Sequence, residues 1–180
     1  MHRSILCFFL VCTCWFGLIL PAQARADTAL IWPDMTGEYL SGEEGQLPAD
    51  FAATSSANPD IQAHMVLILF DREQQDMLDE WAQAADQLPA DIGLVEIALI
   101  GKVGGIARFF IKNGMKDMIE PASRHAGMMP FFGDAEAVKS ALEITDISAI
   151  NAFLVASDGT VIWRDKGAYK GQYRTLPNRP

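Results

Sequence analysis

A continuous apolar run, HMVLILF (His64 to Phe70), and a second, mostly apolar segment, GLVEIALIG (Gly93 to Gly101), constrain the fold of this 180-residue chain more than any other feature. Runs this short, rich in β-branched and large side chains, suit strands covered on both faces. Between them, REQQDMLDEWAQAADQL places Met77, Trp81, Ala84, Ala85 and Leu88 on one helical stripe and its charges on the other. Asp71 and Gln74 have the spacing of a capping box, and Pro89 closes the far end. Strand, helix, strand over so few residues predicts a right-handed βαβ unit with parallel strands.

The remainder of the chain extends this unit. KVGGIARFFIKNGMKDMIEP reads as helical, with Ile106, Phe109, Phe110, Met115, Met118 and Ile119 apolar, its Phe and Met side chains core or sub-core or else an exposed patch for a partner, and a break at Asn113-Gly114. An irregular stretch, ASRHAGMMPFFG, leads to Asp134, which caps a short helix with Val138, Ala141 and Leu142 inward. INAFLVASDGTVIWRDKGAY then reads as a hairpin turning at Asp158-Gly159. Ahead of the core, residues 27–63 are rich in Gly, Ser, Pro and acidic residues. They read as a loosely ordered acidic arm that pins Trp32 or Phe51 onto the domain of residues 64–180.

The first 26 residues have the layout of a secretory signal peptide: Arg3, an apolar run from Ile5 to Leu20, and Ala24-Arg25-Ala26. The run is shorter than the roughly 20 residues of a spanning helix. Cleavage before Asp27 predicts a periplasmic or secreted protein with no stable membrane span. All three cysteines, Cys7, Cys12 and Cys14, lie in that segment, so the mature chain has no thiol and no thiol redox chemistry.

Removing Arg3 and Arg25 takes the formal charge from −9 to −11. Residues 27–60 hold seven acids and no Lys or Arg, and residues 61–180 hold 12 basic and 16 acidic residues. Nucleic acid, whose phosphates require a basic face, is excluded as a partner. His64 and His125 are the only histidines beyond the leader and have no neighbouring Cys or His, so no metal site is expected. GKVGG lacks phosphate-loop spacing, and no nucleophile elbow is present. No catalytic or cofactor-binding residue and no cofactor is assigned.

The order strand, helix, strand, helical excursion and hairpin resembles the α/β thioredoxin-like fold in its peroxiredoxin-like branch, a three-layer domain whose central mixed sheet ends in a C-terminal hairpin. Ala152-Phe153-Leu154-Val155 and Asp158-Gly159-Thr160-Val161 match the closing hairpin of that branch. The resemblance implies a reactive cysteine just after the first core strand, where Asp71, Arg72, Glu73, Gln74 and Gln75 stand, and a cis-proline before the closing strand, where Ala149-Ile150-Asn151 stands. Neither is present. KDMIEPASRH (Lys116 to His125) and Trp163-Arg164-Asp165-Lys166-Gly167 are also similar to segments of the mitochondrial ATP synthase assembly-factor family, with Ile162 in place of that family's basic residue. That similarity implies a chaperone-like assembly factor with a protein partner belonging to a membrane complex.

The residues expected to meet this partner are Arg124, His125, Met128 and Met129 in PASRHAGMMPFF, together with Trp163 and Gly167. Arg and His supply directional donors, and Met and aromatic side chains supply the apolar area that interface cores favour. Two other readings stay open: a small-ligand binder or non-thiol enzyme using the strand ends, and a degenerate antioxidant-type domain that binds without turnover.

Overall fold

The computed structural model of the chain describes residues 29–177. The predicted signal peptide and its three cysteines lie outside the described residues. A five-stranded mixed sheet forms the centre. Its first two strands are those expected, β3 (Ala63–Leu69) and β4 (Ile92–Leu99), paired in parallel. β5 (Met128–Phe131) runs parallel to β4 at one edge, while β6 (Asn151–Ala156) and β7 (Val161–Lys166) close the other edge antiparallel. The strand order is β5-β4-β3-β6-β7.

Both faces of the sheet are covered, which gives the three layers of the thioredoxin-like class. On face one, Met65, Leu67 and Leu69 of β3 pack against Leu78 and Trp81 of α2 (Gln75–Gln83) and Met115 of α3 (Gly105–Met118). On face two, Val66 and Ile68 meet Trp32, Phe51 of α1 (Ala49–Ala57) and Val138 of α4 (Ala135–Ala141). β3 is buried along its whole length, as its continuous apolar run requires.

Three expectations are corrected. Residues 29–63 are not a loose arm. A hairpin of β1 (Met35–Glu38) and β2 (Glu44–Leu47) precedes α1, and Trp32, Met35, Leu40, Leu47 and Phe51 are all buried against the sheet. Gly37 and Gly45 make this docking possible: a Cβ on either would lie within 3.0 Å of the Met129 side chain. The glycines that suggested looseness are the sites of closest approach. Second, α3 passes through Asn113-Gly114 without a break, because one helical glycine costs about 1 kcal/mol and is no stop signal. Third, the irregular stretch contains β5, with Pro130 accommodated on the edge strand.

Candidate functional site

Open α/β sheets present ligand sites at the carboxyl ends of their parallel strands. Here that end is built around Gln74. Leaving β3, Asp71 caps a 3-10 turn, Arg72–Gln74, with its Oδ1 accepting from the Glu73 amide at 2.9 Å. Gln74 Oε1 accepts from the Phe70 amide at 2.7 Å and the Asp71 amide at 3.4 Å. Its Nε2 donates to the Ile147 carbonyl at 2.7 Å. A nearly buried amide, hydrogen-bonded through both its oxygen and its nitrogen, thus ties the start of the helical region to the loop before β6. This is the region in which the fold's redox members place a thiol. The polar atoms of Asp71 and Gln74 hold the two segments together, and no thiol stands among residues 71–75.

Beside this tie runs a groove of about 390 Å³ between the strand ends and α3. Leu69, Ala98, Ile111 and Met115 form its floor, Phe110, Gly114 and Met118 its α3 wall, and Asp71, Arg72 and Gln75 its polar rim. Phe109 and Phe110, expected among the core and sub-core residues, are 62% and 68% exposed. α3 directs Met115 and Ile111 to the sheet, which leaves the side chains on the opposite face in solvent. Among the described residues no group of three or more His, Asp or Glu side chains is placed to hold a metal ion.

The sequence-predicted contact residues are instead engaged in the fold. Arg124 Nη1 donates to Asp79 Oδ1 at 2.8 Å and to the Glu120 carbonyl at 3.2 Å. Its Nη2 and Nε reach the Glu96 carboxylate at 3.0 to 3.2 Å. Glu96 is 2% exposed on β4. Burial raises its carboxyl against the pull of Arg124, while Arg124 is held charged because Glu96 and Asp79 together outweigh its own desolvation. The guanidinium has no free fork to offer a partner. His125 is half-buried, its Nε2 3.1 Å from the Ile119 carbonyl, and its own carbonyl accepts from the Ser41 amide. Met128 and Met129 are completely buried in β5, one on each face, and present no surface.

Trp163 is half-buried against the face-one core. Gly167 turns the chain with φ +106°, which favours glycine, and its carbonyl accepts from the Trp81 indole at 2.9 Å. These six residues therefore form no shared exposed site: Arg124, His125 and Gly167 are hydrogen-bonded within the fold, Met128 and Met129 are core, and Trp163 packs against it. The missed signal was Glu96, a carboxylate within an apolar strand, which has to find a cation when buried. Arg124 is that cation.

No protein-family model and no curated protein sequence matches the chain. Solved structures do. An exposed lipoprotein thioredoxin from Streptococcus pneumoniae aligns with TM-score 0.53 at 9% identity, over 80% of this chain and 100% of that one. BsSco, of the Sco family of cytochrome c oxidase assembly proteins, aligns with TM-score 0.52 at 10% identity, over 82% and 90%. A putative electron transfer protein from Aquifex aeolicus aligns with TM-score 0.54 at 13% identity, over 82% and 89%. Identities this low establish the thioredoxin-like fold and nothing finer.

Proposed function

We propose that this chain is an exported, non-redox protein of the thioredoxin-like fold that acts through protein contacts, as an assembly-type or chaperone-like factor. In this reading the groove beside α3 receives an apolar segment of a partner polypeptide. The observation that carries it is the combination at one sheet end: an open apolar groove next to a helix start where Gln74 stands tied to Ile147 and no thiol is available. No cysteine occurs after Cys14. The Sco likeness supports compatibility of such a role with the fold. The similarity of Lys116 to His125 and of Trp163 to Gly167 to mitochondrial ATP synthase assembly factors supports a membrane complex as the partner. Because internal packing accounts for Trp163 and Gly167 without any partner, the groove carries more of the reading than the hairpin does.

Gly114 gives a clean test. It lines the groove in the middle of α3, and a Cβ there meets nothing within 4 Å. Gly114→Leu is expected to raise stability by about 1 kcal/mol, since leucine is the better helix former. It is also expected to cut recovery of partner polypeptides from the native membrane fraction several-fold. Unchanged recovery from the stabilised variant would reject the groove.

A small-ligand reading is favoured by one feature, Arg72 on the rim of an apolar cavity of drug-like size. A small acidic amphiphile retained by the unmodified protein in native mass spectrometry, and absent from Gly114→Leu, would decide for it.

A further inference from the structure

A ridge on the first two turns of α3 presents a surface separate from the groove floor. Ile106, Phe109 and Phe110 stand at i, i+3 and i+4, so they share the outward face, and all three are more than 60% exposed. The two phenyl rings meet edge-on at 5.7 Å, which makes the ridge continuous. Arg108, Lys112 and Lys116 recur every fourth residue alongside it, and Lys102 precedes the helix. Residues 102–118 hold these four basic residues against Asp117 alone, a net +3. The rest of the chain from Asp27 onward holds 8 basic and 22 acidic residues, a net −14.

Part of that charge is neutralised within the fold. Lys102 pairs with Asp134 at 3.0 Å, and Lys112 pairs with Glu38. Arg108 donates to the Val103 carbonyl and lies 5.4 Å over the Phe132 ring, with no carboxylate partner among the described residues. Lys116 likewise has none there. Asp117 shares the outward face one turn beyond Asn113 and limits the ridge to the N-terminal half of the helix. A second basic stretch, residues 164–174, carries no exposed large apolar side chain. Basic charge and exposed aromatic area coincide only on α3 among the described residues.

We infer that this ridge is a contact for the surface of an anionic phospholipid bilayer. Ile106, Phe109 and Phe110 enter the boundary between headgroups and acyl chains, while Arg108 and Lys116 meet the phosphates. Interfacial helices combine these side-chain classes in this way. The ridge is convex, and a fluid bilayer needs no matching cavity to receive it, whereas a folded protein partner does. The acidic remainder of the molecule is repelled by anionic lipid, so attraction confined to α3 also sets the orientation. No helix among the described residues is long and apolar enough to cross a membrane, so the contact is peripheral. An exported chain, as its first 26 residues predict, meets such a surface on emerging. The inference does not depend on what fills the groove.

The test is co-sedimentation of the full chain, as recovered after export, with vesicles of phosphatidylglycerol and phosphatidylcholine in equal parts, against vesicles of phosphatidylcholine alone. Binding to the mixed vesicles only, weakened by salt, is expected. The double variant Phe109→Ser with Phe110→Ser should lose about tenfold or more in affinity, since both rings leave solvent on docking. Lys116→Glu should lose about tenfold at low salt. Circular dichroism and melting should be unchanged for both, because Phe109 and Phe110 are largely exposed and Lys116 has no carboxylate partner among the described residues. Gly114→Leu should still bind the vesicles, which separates this surface from the groove. Equal binding to both vesicle types, or equal binding by the double serine variant, would overturn the inference. So would a double serine variant that keeps its vesicle affinity and loses only captured polypeptides, because the rings would then serve polypeptide binding, Phe110 as a wall of the groove, and not the bilayer.

Discussion

The two faces of the sheet bury similar side chains and treat their polar atoms differently. On face one, Trp81 donates its indole N–H to the Gly167 carbonyl at 2.9 Å, Tyr173 donates to the Trp81 carbonyl at 3.1 Å, and Glu96 is met by Arg124. On face two, Trp32 Nε1, Ser55 Oγ and His64 Nδ1 are buried with no hydrogen-bond partner. All three lie around Phe51: Trp32 meets its ring at 6.2 Å, His64 stacks on it at 4.7 Å, and Ser55 is one turn further along α1. A buried polar atom left unpaired costs about 1–3 kcal/mol. The buried side-chain polar atoms of face one are therefore paired, whereas those around Phe51 on face two are not, and there residues 29–60 are tied down by backbone bonds such as Trp32 N–H to the Gly159 carbonyl at 2.8 Å and by apolar contact, against that cost. The difference teaches which seam yields first.

The largest expected effect falls on face one. Arg124→Ala leaves Glu96, 2% exposed, without its cation, either stranded as a buried charge or driven to take up a proton, and breaking one side of such a pair typically costs about 3–5 kcal/mol. Urea unfolding should show that loss. Adding Glu96→Gln to Arg124→Ala should recover much of it, because the stranded charge is then gone. If Arg124→Ala costs less than about 1 kcal/mol, the ion pair is no anchor of this face and the contrast between the seams collapses.

Face two should respond to acid. Burial lowers the His64 pKa from 6.5 to about 4, and no charged neighbour contributes. The elements packed on His64 bring Phe51 from α1, Gly93 from β4 and the paired Val155 from β6. Below pH 6.5 the unfolded chain binds a proton that the native imidazole refuses. The contribution is thus complete above pH 6.5 and is lost as the pH falls toward about 4. The shift corresponds to about 3 kcal/mol across that window. His64→Leu should flatten this part of the stability profile. Hydrogen exchange should show residues 29–60 opening before α2 as the pH drops. A His64→Leu profile as steep as that of the unchanged protein would place the acid sensitivity elsewhere.

How far these seams were legible in the sequence follows from the range of the interactions involved. The βαβ unit, the Asp71 cap and the Asp158-Gly159 turn rest on neighbours in the chain, and local pattern carries them. Pairing Arg124 with Glu96 or Gln74 with Ile147 joins residues 28 and 73 positions apart, which no local spacing encodes. Met128 and Met129 read as interface residues for the same reason: their chemistry suits a partner surface and a core equally, and only the docking of the β1–β2 hairpin over β5 decides between them. Phe109 and Phe110 illustrate the converse. Helical period placed them beside core positions, and the orientation of α3, fixed by Met115 and Ile119 against the sheet, turned them outward.

The smallest expected effect is also the most direct comparison, because one substitution can be made at one residue type on both faces. Trp81 and Trp32 are each at most 2% exposed, and replacing either by Phe removes a similar amount of apolar area. The indole N–H differs. Trp81→Phe strands the Gly167 carbonyl at a left-handed turn and forfeits a bond worth about 1 kcal/mol, whereas Trp32→Phe deletes a donor that already lacks a partner. With the packing cost common to both, Trp81→Phe should be the more destabilising by about 1–2 kcal/mol. Paired urea titrations at pH 7, above the range in which His64 titrates, isolate this difference from the acid effect. Equal losses at the two sites would show that the Trp32 indole is satisfied in solution, and face two would then no longer be the weaker seam on account of its polar atoms.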